Sequence, residues 1–313
     1  MRNDDRLFMS RCLELARNGI YTAAPNPMVG AVIVHRGRII GEGWHQRCGE
    51  AHAEVNAYAS VSAADRQLLR EATLYVSLEP CAHYGKTPPC AELIIREGIG
   101  SVVVGCVDSF AKVQGRGIQM LREAGISVTV LNDERCRHLN RHFFTFHEKH
   151  RPWITLKWAQ TANGFIDDNY RPATISTPFT TMLCHKLRAE HQAILVGRVT
   201  AERDNPQLNV RQWTGPDPLR LVLSRATETL PELMERLSSL NILSLLVEGG
   251  AATHASFLAA DLWDEIRVET SPVVFANGTR APQLPEGLTV VSRRRYDSNT
   301  ITILSRVKGD GKP

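Results

Sequence analysis

The sequence predicts an α/β protein made of two domains in tandem. Its 313 residues exceed one domain of ordinary size. Strand-length apolar runs alternate with stretches of helical period, the mark of a sheet covered by helices. Between His138 and Pro152 that alternation gives way to an aromatic and histidine-rich segment ending in a helix-unfriendly proline. The boundary is therefore placed near residue 148, with domains at 1–148 and 149–313.

The elements follow in order. From about Asp4 to Asn18, Leu7, Phe8, Cys12, Leu15 and Ala16 recur at helical spacing, with Gly19 where a cap belongs. Pro25-Asn26-Pro27 is a loop. Ala31–Val34 and Ile39–Ile40 flank His35-Arg36-Gly37-Arg38 and read as a hairpin. A helix from about Ala53, a strand at Leu74–Ser77 and a helix at Pro89–Glu97 follow. Strand Val102–Val104, a helix near Gly117–Ala124 and strand Val128–Val130 complete the first domain. The second opens on strand Trp153–Lys157, then a helix around Thr180–Ala189 and strand Ala193–Val196. Strand Leu219–Leu223, helix Pro231–Leu240, strand Ser244–Val247 and a helix after Gly250 come next. The polar tail Lys308–Pro313 reads as frayed.

Composition narrows the functional classes. With 43% hydrophobic and 22% charged residues the chain is of globular type. The net charge of +4 comes from 37 basic and 33 acidic residues mixed along the chain. Even Arg293-Arg294-Arg295 reads as a solvated face rather than a nucleic-acid patch. No apolar run approaches a membrane span, and the charged start lacks a secretion signal. Seven cysteines, an odd number, suit a reducing cytoplasm where clustered thiols act as ligands.

The chemistry is carried by three segments: His52-Ala53-Glu54, Pro80-Cys81 and Pro89-Cys90. One imidazole and two thiolates make three zinc ligands and leave the fourth tetrahedral position for water. Zinc brings that water's pKa near neutrality, so a bound hydroxide exists at working pH. Glu54, two residues past the histidine, can take the water's proton and return it to a leaving amine. An H-x-E followed by paired cysteines is the pattern of zinc base deaminases, here with eight residues between the cysteines in "PCAHYGKTPPC". His83 could instead close the site as a fourth ligand. Cys12, Cys48, Cys106, Cys136 and Cys184 have no ligand spacing and read as packed residues.

The stretches "PNPMVGAVIV", "GEGWHQRCGEAHAEVNA", "YVSLEPCAHYGKTPPCAELII" and "GRGIQMLREAGI" resemble the bifunctional deaminase–reductase family of riboflavin biosynthesis. So do "RPWITLKWAQTANG", "LRAEHQAILVGRVTAERDNPQLNVR" and "LLVEGGAATHASFLAADLWDE", so the resemblance spans nearly the whole chain. It implies a cytidine-deaminase-like α/β/α sandwich followed by a dihydrofolate-reductase-like α/β domain. The implied reactions are deamination of a diamino-pyrimidinone carrying ribosylamine 5-phosphate, then reduction of the ribosyl group to ribityl by NADPH. Asn26, His45, His83 and Lys86 match substrate-binding positions, and Lys86 suits the phosphate as a flexible point charge. In the second half Lys157 matches a catalytic position. Arg188, Leu208, Arg211 and Glu248 match substrate contacts. Ala159, Thr200, Asp204, Ser224 and the run Gly250, Ala251, Ala252, Thr253, His254, Ala255 and Ser256 match cofactor contacts. Small residues opening a helix there let backbone N–H groups approach a pyrophosphate; read alone, Gly249-Gly250 is a turn. A homo-oligomer is implied by the resemblance only.

Three departures bear on the second activity. The family's Ser-x-Asp-Gly after the first strand is here Thr161-Ala162-Asn163-Gly164, and Thr174 stands where tryptophan is common. The connection between about 224 and 242 is short, with room for one helix, so the sheet edge that would cradle the adenosine end of the cofactor is reduced. A deaminase with a degenerate reductase domain is the alternative this leaves, and a nucleic-acid-editing deaminase is a second, disfavoured by the low charge and 6% aromatic content.

Overall fold

The structure, a computed structural model, describes residues 3–84, 88–109, 114–224 and 226–306. Lys86 and the tail Lys308–Pro313 lie outside the described residues. The chain divides into two compact units, Met1–His150 and Arg151–Pro313.

In the first unit, helix α1 (Asn3–Ala16) leads into the hairpin β1 (Gly30–His35) and β2 (Arg38–Trp44). Arg36 and Gly37 turn the hairpin with φ of 47° and 80°, the positive pair that suits a tight two-residue turn. Then come α2 (Ala53–Ala59), β3 (Thr73–Leu78), α3 (Cys90–Glu97), β4 (Ser101–Cys106), α4 (Arg116–Glu123) and β5 (Ser127–Val130). Two short helices, α5 (Glu134–Leu139) and α6 (Arg141–Lys149), close the unit where the sequence pattern fades. The five strands run in the order β2-β1-β3-β4-β5. β1 is antiparallel to both neighbours, and β3, β4 and β5 are parallel. Ile33, Leu74, Val76, Val102 and Val104 pack on one face against Ala53 and Ala57 of α2, Ile94 of α3 and Leu121 of α4. α1 and α5 cover the other face. Parallel strands buried on both sides read as unbroken apolar runs, which is why "VVV" at 102–104 was legible as a strand.

The second unit holds β6 (Trp153–Gln160), α7 (Pro178–Ala189), β7 (Ala193–Gly197), α8 (Arg198–Asp204) and β8 (Leu219–Leu223). It continues with α9 (Leu230–Ser239), β9 (Ser244–Gly249), α10 (Ala251–Ala259), β10 (Glu265–Thr270), β11 (Leu288–Tyr296) and β12 (Asn299–Arg306). Its seven strands run β11-β12-β10-β6-β9-β7-β8. The stretch from β10 to β8 is parallel, and β12 and β11 add an antiparallel edge. Leu156, Trp158, Leu195 and Val247 pack beneath Leu233 and Leu237 of α9 and Phe257 of α10. The short connection predicted after β8 holds only α9. β8 is an open edge, with Leu219 43% and Val222 54% exposed. Among the described residues no helix is long and apolar enough to cross a membrane.

Candidate active sites

In the first unit three elements converge at the exit of β3. His52 is the N-cap residue of α2, Cys90 opens α3, and Cys81 lies three residues beyond β3. His52 Nδ1 is 3.3 Å from Cys90 Sγ and 3.5 Å from Cys81 Sγ, and the three donor atoms lie within 4.8 Å of one another. These separations fit the edges of a tetrahedron, about 3.6 Å for metal–ligand bonds of about 2.0 and 2.3 Å. The donor set of one imidazole and two sulfurs suits zinc. His83 is exposed and lies outside this group, so among the described residues nothing closes the fourth corner.

Electrostatics sharpen the picture. The Cys90 thiol donates towards Cys81, which, with His52 alongside and against the effect of burial, brings Cys81 down to about 4. The N–H at the start of α3 also donates to Cys81 Sγ at 3.3 Å. One thiolate is thus ready before a second is formed. Glu54 is 3% exposed, and burial pushes its carboxyl up to about 7, where a group can take and return a proton.

His45 stands edge-on to His52, ring centroids 5.3 Å apart. Its Nδ1–H donates to the Ala51 carbonyl at 3.1 Å, so Nε2 is left to accept from the Asn26 amide at 3.1 Å. Burial lowers its pKa and keeps it neutral. Asn26, His45 and His52 therefore form one chain of polar groups.

In the second unit Lys157 of β6, Cys184 and Arg188 of α7 and Glu248 of β9 form a cluster. Arg188 Nε and Nη2 donate to the two Glu248 oxygens at 2.9 and 2.7 Å, and Cys184 Sγ donates to Oε1 at 3.2 Å. Burial works against the Glu248 charge, but Arg188 and Lys157 hold its pKa down at about 2. Burial likewise opposes the Lys157 charge, and the groups at Cys184, Glu248 and Glu269 keep its pKa above the ordinary value. Arg188 also reaches Asn209 O at 3.2 Å, and Arg211 holds the Asn209 side chain at 2.9 Å. The structure narrows the expectation for Leu208. Its side chain is 5% exposed and packs with Leu187, Ile194 and Leu246, so only its main chain can face a ligand.

A cavity of about 920 Å³ lies at the ends of β7 and β8 and the start of α10. Thr200, Ser224, Gly250, Ala251, Ala252, Thr253 and Ser256, all expected at the cofactor, line it. Gly249 has φ of +145°, and a Cβ on Gly197 would stand 2.2 Å from Thr253 Oγ1. The backbone conformation favours glycine at 249, and a side chain at 197 would have to displace the Thr253 hydroxyl. The pair at 249–250 thus does more than turn the chain. The N-terminus of α10 faces a volume fit for a dinucleotide. Ala159, Asp204, His254 and Ala255 do not line the cavity. His254 is the clear correction: it is 1% exposed, its ring lies 5.3 Å from that of Trp158, and its N–H serves Gly250 O. A helix presents only one face to the cavity, and residue 254 is on the other. Sequence reasoning missed Asp167, Arg198, Arg203 and Thr279, which also line the cavity. Asp167 binds Thr279 and Arg203 across the fold, a pairing with no local spacing to reveal it.

Asn163 has a definite task. Its Nδ2 donates to Phe275 O at 2.8 Å while its Oδ1 accepts from Phe275 N at 3.3 Å and from Thr161 Oγ1 at 2.8 Å. A carboxylate could not make the first of these bonds.

Comparison with known proteins matches a family model to each unit. Residues 2–106 match the cytidine and deoxycytidylate deaminase zinc-binding region. Residues 152–232 and 227–302 match the RibD C-terminal domain in two pieces that overlap at 227–232, within the short connection. The riboflavin biosynthesis protein RibD of Aquifex aeolicus is 35% identical over 323 residues, covering 89% of this chain and 90% of its own. That of Bacillus amyloliquefaciens is 35% identical over 357 residues, 98% and 95%. The chain belongs to the RibD family. A Thermotoga maritima diaminohydroxyphosphoribosylaminopyrimidine deaminase/5-amino-6-(5-phosphoribosylamino)uracil reductase has a similar structure, with TM-score 0.88, 33% identity and coverage of 97% of this chain and 99% of that one. As a RibD protein the chain is an enzyme of riboflavin biosynthesis with a zinc-dependent deaminase and an NADPH-dependent reductase activity.

Proposed function

We propose that the first unit removes the exocyclic amine of 2,5-diamino-6-ribosylamino-pyrimidinone 5-phosphate. The second then reduces the ribosyl group of the product to ribityl with NADPH. The convergence of His52, Cys81 and Cys90 beside the buried Glu54 is the observation that carries this reading. Zinc, when bound by these three side chains, supplies an acidified water. Glu54 takes a proton and delivers it to the departing nitrogen, its pKa of about 7 suiting both directions. Asn26 and the neutral His45 orient the ring, His83 contacts the substrate, and Lys86 serves as the charge for its phosphate.

In the second unit Lys157, Arg188, Arg211, Glu248 and the Leu208 main chain hold the phosphorylated substrate. Thr200, Ser224 and the first turn of α10 hold NADPH, and Ala159 and Asp204 are assigned to the cofactor by the family resemblance alone. The cavity volume and the glycine cradle favour an active reductase over a degenerate one. A homo-oligomer in the cytoplasm belongs to the same reading, and seven free cysteines agree with a reducing compartment. The test is an assay of the purified protein on the diamino substrate, following ammonia and NADPH separately. Ammonia should appear first, with NADPH consumed only afterwards. Ammonia with no NADPH oxidation would reduce the function to deamination alone.

A further inference from the structure

Glu79 follows β3, lies two residues before Cys81 and is 4% exposed. Among the described residues its carboxylate collects four main-chain N–H groups. Oε2 accepts from Asp108 at 3.3 Å and Gly115 at 3.0 Å, and Oε1 from Gly117 at 3.0 Å and Ile118 at 3.3 Å. Gly115 is the N-cap residue of α4, and its first turn has no cap from a side chain of its own. Glu79 therefore fills donors the helix leaves open and meets the positive end of its dipole. The approach is close: a Cβ on Gly117 would stand 1.9 Å from Pro80 O. On the other flank Cys81 accepts from the start of α3, its carbonyl from Ala91 N at 3.2 Å and its sulfur from Cys90 N at 3.3 Å. Glu79–Cys81 is thus gripped between two helix N-termini, one holding the carboxylate and the other the thiolate.

We infer that Glu79 is a positioning residue for the deaminase metal centre: by tying the first turn of α4 to Pro80, it fixes where the Cys81 sulfur stands relative to His52 and Cys90. This rests on reading those three side chains as zinc ligands. Nothing in the local sequence marks Glu79 for this task, because its four partners lie 29 to 39 residues away.

The test uses the full-length zinc-loaded protein, as wild type, Glu79→Gln and Gly117→Ala. Gln keeps the size but turns an NH2 towards amide donors. Ala leaves the carboxylate intact and pushes α4 off Pro80. Zinc transfer to excess chromogenic chelator, the absorption bands of the cobalt-substituted protein, and kcat and KM for ammonia release are measured. NADPH oxidation with the already deaminated substrate reports on the second unit. Both variants should lose zinc about tenfold faster, the scale of effects from groups that orient ligands. Their cobalt–thiolate bands should shift, and the kcat of deamination should fall with KM within about twofold while NADPH oxidation is unchanged. Wild-type zinc release and cobalt spectra in both variants, even with a lower melting temperature, would show that Glu79 only caps α4 and overturn the inference. So would failure of both to fold at saturating zinc. A wild-type protein that binds no zinc refutes the metal-centre reading itself, a different result from either.

Discussion

Arg188 and Glu248 meet through two parallel hydrogen bonds of 2.9 and 2.7 Å, their side chains only 13% and 9% exposed. The sequence suggests that each contacts substrate separately; the structure spends part of each on the other. Glu248→Gln keeps the shape but leaves Arg188 and Lys157 without their shared counter-charge. Removing one member of such a buried pair costs on the order of 3 kcal/mol. NADPH oxidation should fall at least about a hundredfold, and urea should unfold the second unit earlier, with ammonia release unchanged. The Glu248 pKa lies below its ordinary 4.5, so the stabilisation is complete above that pH and is lost as pH falls towards 2. A variant reducing its substrate within a factor of two of wild type would remove Glu248 from the site.

Asn163 stands where the family resemblance implies an aspartate, and the structure gives it a bond that a carboxylate cannot make. The amide donates to and accepts from Phe275, and the same segment carries Thr279 into the cofactor cavity. Asn163→Asp restores the family residue yet loses the donor. One exposed hydrogen bond is worth about 1 kcal/mol, or roughly a fivefold change. KM for NADPH should rise by that factor with kcat little changed. An unchanged or lower KM counts against the latch.

Glu54→Gln isolates proton transfer from metal binding. The three ligand atoms are untouched, so zinc content by atomic absorption should stay at one per chain. General acid–base catalysis is worth roughly a hundred- to ten-thousandfold, and ammonia release should drop by that order. NADPH oxidation with deaminated substrate should persist. Retained deamination would transfer the proton role to another group, and lost zinc would make Glu54 part of the ligand set.

The zinc site was legible because each ligand sits in a short motif at a helix start or strand exit, where local chemistry dictates residue type. Arg188 and Glu248 were legible only as separate positions, since their pairing depends on α7 crossing β9. The helices α5 and α6 escaped because "RHFFTFHEK" is rich in residues of middling helix propensity. Asp133, whose side chain caps α5 by accepting from Arg135 N, was the signal to use. β11 escaped for another reason: most of its side chains are solvated, so no apolar alternation exists, and its register comes from pairing with β12. Leu208 and His254 were matched to ligand positions as members of a segment, and a motif fixes a segment but not which face each side chain presents.

His254 makes the sharpest prediction about pH. The ring is buried against Trp158, beside the Lys157 main chain and facing the charges of Lys157 and Glu248. Burial first, then the Lys157 charge, lowers its pKa to about 4, with the Glu248 charge and the Lys157 main chain opposing. The unfolded chain binds a proton on this ring near pH 6.5, whereas the folded one resists until about 4. Stability from the neutral ring is therefore complete above about pH 6.5 and drains away as pH falls to 4, by up to roughly 3 kcal/mol. His254→Phe fills the same space with no group to titrate. Unfolding can be followed by tryptophan emission, since four of the five tryptophans lie in the second unit. At pH 7.5 the variant should equal or exceed wild type in urea, and between pH 6.5 and 4 it should lose less stability. Parallel pH profiles for the two proteins would mean that the ring is solvated and that the space beside Trp158 is wet.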